Sequence, residues 1–181
     1  MEALKDKELE PLSDEDIRHI LGKDTKILKY SELAKYSSID DLLPKHTDYC
    51  IVLYELEENS GHWTAILKYD SYVEWFDPYG IKYDNELDWI SSNAKHKLHE
   101  EKPLLGNLFS ESDLKVVYNK TKFQSMKKEI STCGDHCVHR IYRLKHNDFD
   151  LEAYTSYMNH IKDEYGLTYD DIVAEFVSSF I

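Results

Sequence analysis

The chain has little of what would direct it out of a cell or into a membrane. Three cysteines in 181 residues are few and odd in number, which excludes a disulfide framework and points to a reducing compartment. No leader-like segment opens the sequence and no apolar run approaches membrane-spanning length, so no membrane is expected as a partner. Positive charge is also scarce. Lysine and arginine total 22 against 35 acidic residues, a net charge of −13, and the densest basic stretches are only Lys127-Lys128 and Lys95 to Lys102. A phosphate backbone would be repelled by that balance, so direct nucleic-acid binding is not expected. Internal repeats and low-complexity segments are absent as well. What is abundant is aromatic residues, 13% of the chain with 14 tyrosines, which argues against disorder. The expectation is a monomeric single domain over residues 1–181, with residues 1–11 as a loose charged arm, requiring no cofactor.

Along the chain, Ser13-x-x-Asp16 caps a short helix buried through Ile17, Ile20 and Leu21 and stopped at Gly22. A second short helix is predicted around Ser31 to Tyr36 and a turn or helix at Asp40 to Leu43. Strand-like runs follow at Tyr49 to Leu56, Trp63 to Tyr69 and Tyr72 to Phe76, with Asp70-Ser71 as a hairpin turn between the last two. A symmetric loop there pairs Tyr69 with Tyr72, Ile66 with Trp75 and Thr64 with Asp77. His62 and Asp77 then share a sheet face as diagonal neighbours, within reach of a hydrogen bond. Asp84 to Leu98 reads as one amphipathic helix built on Leu87, Trp89, Ile90 and Ala94, with His96 and His99 solvated at its end and a loop through Pro103 and Gly106 beyond it. Leu114 to Tyr118 is a further strand, and Asn119 to Thr132 a polar loop. Asp150 caps a helix to Tyr165 that Gly166 stops, and Thr168-x-x-Asp171 caps a last one carrying Ile172, Val173, Phe176 and Val177. The fold class is α+β, a central mixed sheet flanked by helices.

Ser131 to His139 carries the chemistry. Thr132 and Asp135 form a Thr-x-x-Asp capping signal, and Cys137, Ile141 and Leu144 recur behind it at helical spacing, which sets Cys133 in the first turn of a helix. There the exposed N–H groups and the macrodipole favour a thiolate, and Gly134 leaves space beside the sulfur. A free cysteine is more often a small core hydrophobe, and that reading is preferred for Cys50 and Cys137. With His62 as base and Asp77 as its orienter, Cys133 gains the partners that a nucleophile needs. Zinc binding by Cys133, His136, Cys137 and His139 is a competing reading, disfavoured because a structural zinc takes ligand pairs from separated segments. A non-catalytic binding module is another.

The order His, Asp, Cys, with Gly61-His62-Trp63, Phe76-Asp77-Pro78-Tyr79-Gly80 and Thr132-Cys133-Gly134, resembles the adenovirus maturation protease and SUMO-protease superfamily of cysteine peptidases. Within it the chain looks most like the small maturation proteases of DNA viruses. The resemblance implies that fold and a cysteine endopeptidase that cuts after glycine in capsid or other virion precursors, with His62, Asp77 and Cys133 as the triad. It also implies an oxyanion hole formed by Gln124 with the Cys133 N–H. Gln124 stands nine residues before Cys133, two or three more than the family pattern, and the usual Pro-Asn between them is missing. Trp63 is a candidate wall of the substrate site. The setting implied is the host cytoplasm or a viral factory, with packaging in the virion as a variant. Deconjugation of a ubiquitin-like modifier by the same triad is the alternative.

Overall fold

The computed structural model describes residues 11–44 and 48–181. The arm expected over residues 1–11 lies outside them except for Pro11. Five strands form one mixed sheet in the order β1 (Ile27–Lys29), β2 (Tyr49–Glu57), β3 (Ser60–Lys68), β4 (Tyr72–Phe76), β5 (Lys115–Tyr118). The two central hairpins are antiparallel, whereas β1 joins β2 and β5 joins β4 in parallel. Parallel edges require long crossovers, and helical segments supply both of them. The β3–β4 register pairs Ile66 with Trp75 and Ala65 with Phe76, and the Tyr69 N–H bonds the Tyr72 carbonyl at 2.9 Å. That is the register expected from a symmetric turn at Asp70-Ser71, although the ladder itself ends before Thr64 and Asp77.

The described residues fall into two compact units. One comprises residues 26–77 and 81–119 and contains the whole sheet. Alternation places Cys50, Val52, Tyr54, Ile66, Val73 and Trp75 on one sheet face, where they form a single buried cluster with Tyr30, Leu33, Ile39, Leu42, Leu87, Ile90, Leu105 and Phe109. The segment Tyr30–Lys35 is a 3₁₀ helix rather than an α-helix, and a short α-helix spans Ile39–Leu42. The single helix expected over Asp84 to Leu98 is two elements, a 3₁₀ helix Asn85–Trp89 and an α-helix Ser92–Leu98. Asp84 takes φ 66°, and Ser91 restarts the chain as an N-cap that accepts from the Ala94 N–H. The expected loop through Pro103 and Gly106 contains a further helix, Leu104–Ser110. Its first turn is held by the Asp84 carboxylate, which accepts from the Leu105 and Gly106 N–H groups at 3.2 and 2.7 Å.

The other unit comprises residues 11–25, 78–80 and 120–181. It contains α1 (Asp14–Leu21), α5 (Cys133–Asn147), α6 (Leu151–Tyr165) and α7 (Tyr169–Val177), where α2 to α4 denote the three α-helices already described. Ser13 and Thr168 form complete capping boxes with Asp16 and Asp171, and Asp150 caps α6. Gly166 ends α6 at φ 66°. Helix α5 differs from the rest in that every residue from Cys133 to Ile141 is buried, including Asp135, His136, His139 and Arg140. No helix among the described residues is long and apolar enough to cross a membrane.

Candidate functional site

His62 lies in β3 and Asp77 one residue beyond β4, both buried. Their side chains meet through a 2.8 Å contact between His62 Nε2 and Asp77 Oδ1. A carboxylate can only accept, so Nε2 carries the proton in this contact and Nδ1 is the ring nitrogen turned away from Asp77. Asp77 is also fixed through its backbone. Its N–H donates to Asn119 Oδ1 at 3.0 Å, and Asn119 Nδ2 donates to the Asp77 carbonyl at 2.6 Å. The parallel β4–β5 pairing stops at Trp75 and Tyr118, and the Asn119 amide continues it one step further in place of a backbone.

The strand that carries His62 also carries Trp63, the candidate wall. Adjacent strand residues point to opposite faces, so Trp63, 9% exposed, lies on the face away from the His62 ring. The indole beside His62 is that of Trp89, 45% exposed with its ring 6.4 Å from the imidazole. Sequence reasoning assigned Trp89 to a helix interior. Its role at the edge of the site follows from the break between the 3₁₀ helix and α3.

Glu86, in the same 3₁₀ helix, was also missed. It is 1% exposed and brings a carboxylate oxygen to within 4.8 Å of the nearest His62 nitrogen and Asp77 oxygen. Burial, reinforced by the Asp77 carboxylate, pushes the Glu86 carboxyl up to about 11. Among the described residues these three are the set that could offer ligand atoms to a metal. A cation there would have to displace the Glu86 proton and interrupt the direct His62–Asp77 contact, so the donors are engaged with one another rather than poised for a metal.

In the other unit, Cys133 is the first residue of α5, buried with 7% of its surface exposed, while Cys50 and Cys137 are fully buried. The expected Thr132–Asp135 capping box does not form. The Thr132 hydroxyl donates instead to Asp170 Oδ1 at 2.5 Å, and the Asp170 carboxylate also takes His136 Nε2 at 3.0 Å and the Ser125 N–H at 3.0 Å. Against a burial effect that pushes it up, these donors hold the Asp170 carboxyl below its usual range, and burial pushes His136 down, so the pair is a neutral imidazole on a carboxylate. His139 is spoken for by the Tyr154 hydroxyl at 3.0 Å and by Arg143 Nε. Thus the four zinc candidates around Cys133 do not converge as a ligand set among the described residues.

Asp170 therefore ties the loop before Cys133, the start of α5 and the start of α7 together. Replacing Asp170 with alanine leaves buried donors from Thr132 and His136 without their acceptor, an expected loss of about 2–3 kcal/mol at neutral pH by denaturant titration. A carboxyl with a depressed folded-state value contributes stability above its unfolded value, near about 3.9, and loses it as pH falls through the folded value. The gap between wild type and Asp170→Ala should accordingly persist at pH 5 and close only under stronger acid.

Gln124 is 3% exposed. Its N–H donates to the Pro78 carbonyl at 2.9 Å, which joins it to the Pro78–Gly80 turn. The side-chain Nε2 is 3.5 Å from the Ile130 carbonyl, at the outer limit of a hydrogen bond. Gly80 in that turn has φ 71°, and a Cβ there would stand 2.9 Å from the Thr121 carbonyl oxygen, so the Asp-Pro-Tyr-Gly run ends in a residue that conformation and space both restrict to glycine.

No family model matches the chain. It is 34% identical over 174 residues to a protein of Sputnik virophage described as uncharacterized protein V9, an alignment that covers 96% of this chain and 97% of the relative. At that identity over nearly the whole of both chains, the protein belongs to the family of the Sputnik virophage protein V9.

Proposed function

We propose that this chain is a cysteine endopeptidase with the fold of the adenovirus maturation protease and SUMO-protease superfamily, acting after glycine in capsid or other virion precursors. The observation that carries the reading is the buried 2.8 Å His62–Asp77 hydrogen bond, formed on a hairpin face in the register expected from the turn at Asp70-Ser71. Cys133 at the first residue of a buried helix and Gln124 upstream of it supply the remaining types of group. Membership of a family that includes a virophage protein supports a virion precursor as substrate and the interior of an infected cell or virion as the setting.

This mechanism requires Cys133 Sγ, as thiolate, to work with His62 through Nδ1, the nitrogen opposite the one bonded to Asp77. Sulfur attacks the scissile carbonyl carbon, and the negative charge that develops on oxygen is taken up by the Cys133 N–H and Gln124 Nε2. The imidazolium gives its Nδ1 proton to the leaving amine as the C–N bond breaks, leaving a thioester. Water then gives a proton to Nδ1 and attacks the thioester, the C–S bond breaks, and the acid product departs with thiolate and imidazolium restored. Asp77 keeps the ring in the tautomer and orientation that both steps need.

Digestion of a proteome-derived peptide library tests the reading. Wild type should cut after glycine, and Cys133→Ala and His62→Ala should each lower the rate by at least about 10⁴-fold. Cleavage that survives Cys133→Ala would overturn it. Release of a ubiquitin-like tail without any cut in linear glycine peptides would replace it with deconjugation.

A further inference from the structure

The 3₁₀ helix Asn85–Trp89 buries a carboxyl group that the triad does not require. Glu86 is enclosed, and the groups that reach its carboxyl are its own backbone N–H and the Asp77 carboxylate, with no partner for either oxygen from a lysine, arginine or hydroxyl among the described residues. Around it stand Asp77 beyond β4, Asp84 from the preceding turn, Tyr54 from β2 and His62 from β3. The Asp77 and Asp84 carboxyl groups both oppose a charge on Glu86. Two carboxyl groups this close in a buried site cannot both ionise. Asp77 accepts from the His62 ring, which stabilises its charge, so the proton falls to Glu86. A neutral carboxyl with no acceptor but a carboxylate beside it donates to that carboxylate.

We infer that Glu86 is a positioning residue for the His62–Asp77 pair, holding a proton and donating it to the Asp77 carboxylate so that the carboxylate stays aligned with the imidazole. The kinetic part of this inference rests on the protease reading; the spectroscopic part does not. Asp77 is gripped through its backbone by Asn119 and through one oxygen by His62, and a donor to its carboxylate opposes rotation about its last side-chain bond. Glu86 supplies that donor. The same arrangement keeps a second full negative charge away from His62, whose basicity two carboxylates would raise.

Three full-length proteins test this: wild type, Glu86→Gln, which keeps a neutral donor of similar shape, and Glu86→Leu, which keeps volume and removes the donor. In infrared difference spectra of wild type minus Glu86→Gln at pH 8, a protonated-carboxyl carbonyl band is expected. Its absence would overturn the inference whether or not the protein is a protease. In NMR titration of labelled histidine, Glu86→Gln should leave the His62 value within about 0.3 units, whereas a drop of about one unit or more would show that Glu86 is ionised. On a glycine-containing peptide, Glu86→Gln should retain kcat within about threefold and Glu86→Leu should lose at least about tenfold in kcat with KM unchanged. Equal kcat in the two variants, or stoichiometric zinc that leaves with Glu86→Gln, would overturn the inference. Should Glu86→Leu not fold, the infrared band and the Glu86→Gln titration still decide it.

Discussion

Iodoacetamide at neutral pH should alkylate Cys133 at least about 10³-fold faster than Cys50. Burial pushes the Cys50 thiol up to about 12. An ordinary thiol titrates near about 8.5, so the thiolate fraction of Cys50 at pH 7.5 is lower by roughly three powers of ten before access is considered. Access adds to the difference. Cys50 is paired with Ile66 inside the sheet and fully buried, so a reagent reaches it only through an opening that approaches global unfolding. Cys137 is fully buried one turn inside α5. Cys133 keeps some exposed surface at the end of that helix, where local fraying is enough to admit a small reagent. Timed quenching followed by peptide mapping gives the three rates. Equal labelling of Cys137 and Cys133 would mean that the start of α5 is unwound in solution. Loss of the Cys133 rate in His62→Ala would tie the sulfur to the imidazole, as the proposed mechanism requires.

The readable parts of this chain are those in which cause and effect lie close in sequence. The Ser13, Asp150 and Thr168 caps each act within three residues, and each starts its helix where expected. The β3–β4 register follows from one turn, and with it the meeting of His62 and Asp77. What escaped depends on partners distant in the chain. The start of α4 is capped by Asp84, some twenty residues earlier, so Leu104 to Ser110 carries no N-cap of its own to find. β1 is three residues long and becomes a strand only by lying parallel to Ile51–Leu53. Thr132 has the spacing of a cap but gives its hydroxyl to Asp170, because a buried carboxylate is the stronger acceptor. Glu86 reads in sequence as one more acid in an acidic run. Only the fold, by closing the 3₁₀ helix over Asp77, turns it into a buried carboxyl.

Gly61→Ala should be among the most damaging single substitutions in the sheet. Gly61 pairs with Glu55 next to the irregularity between Glu55 and Glu57, where β2 and β3 approach closely. A Cβ at Gly61 would stand 1.7 Å from the Tyr54 carbonyl oxygen, 2.8 Å from its carbon and 2.9 Å from the Glu55 Cα. All three are backbone atoms, so no rotamer change relieves the overlap and the strands must part. The displacement cannot stay local. Tyr54 stacks on Tyr30 with ring centroids 4.5 Å apart, meets Trp75 edge-on at 6.1 Å, and accepts the Asp84 N–H on its hydroxyl at 3.1 Å. The expected cost is at least about 3 kcal/mol, a Tm fall of roughly 6–12 °C for a chain of this size. Gly166→Ala is the comparison. Gly166 also requires glycine, through φ 66°, but a Cβ there meets nothing within 4 Å, so only the left-handed backbone is penalised, at about 1 kcal/mol. Thermal melts of the two variants separate steric closure from backbone conformation. Equal losses would mean that β2 and β3 pair in another register near Gly61, and the His62–Asp77 contact, which depends on that pairing, would have to be redrawn with it.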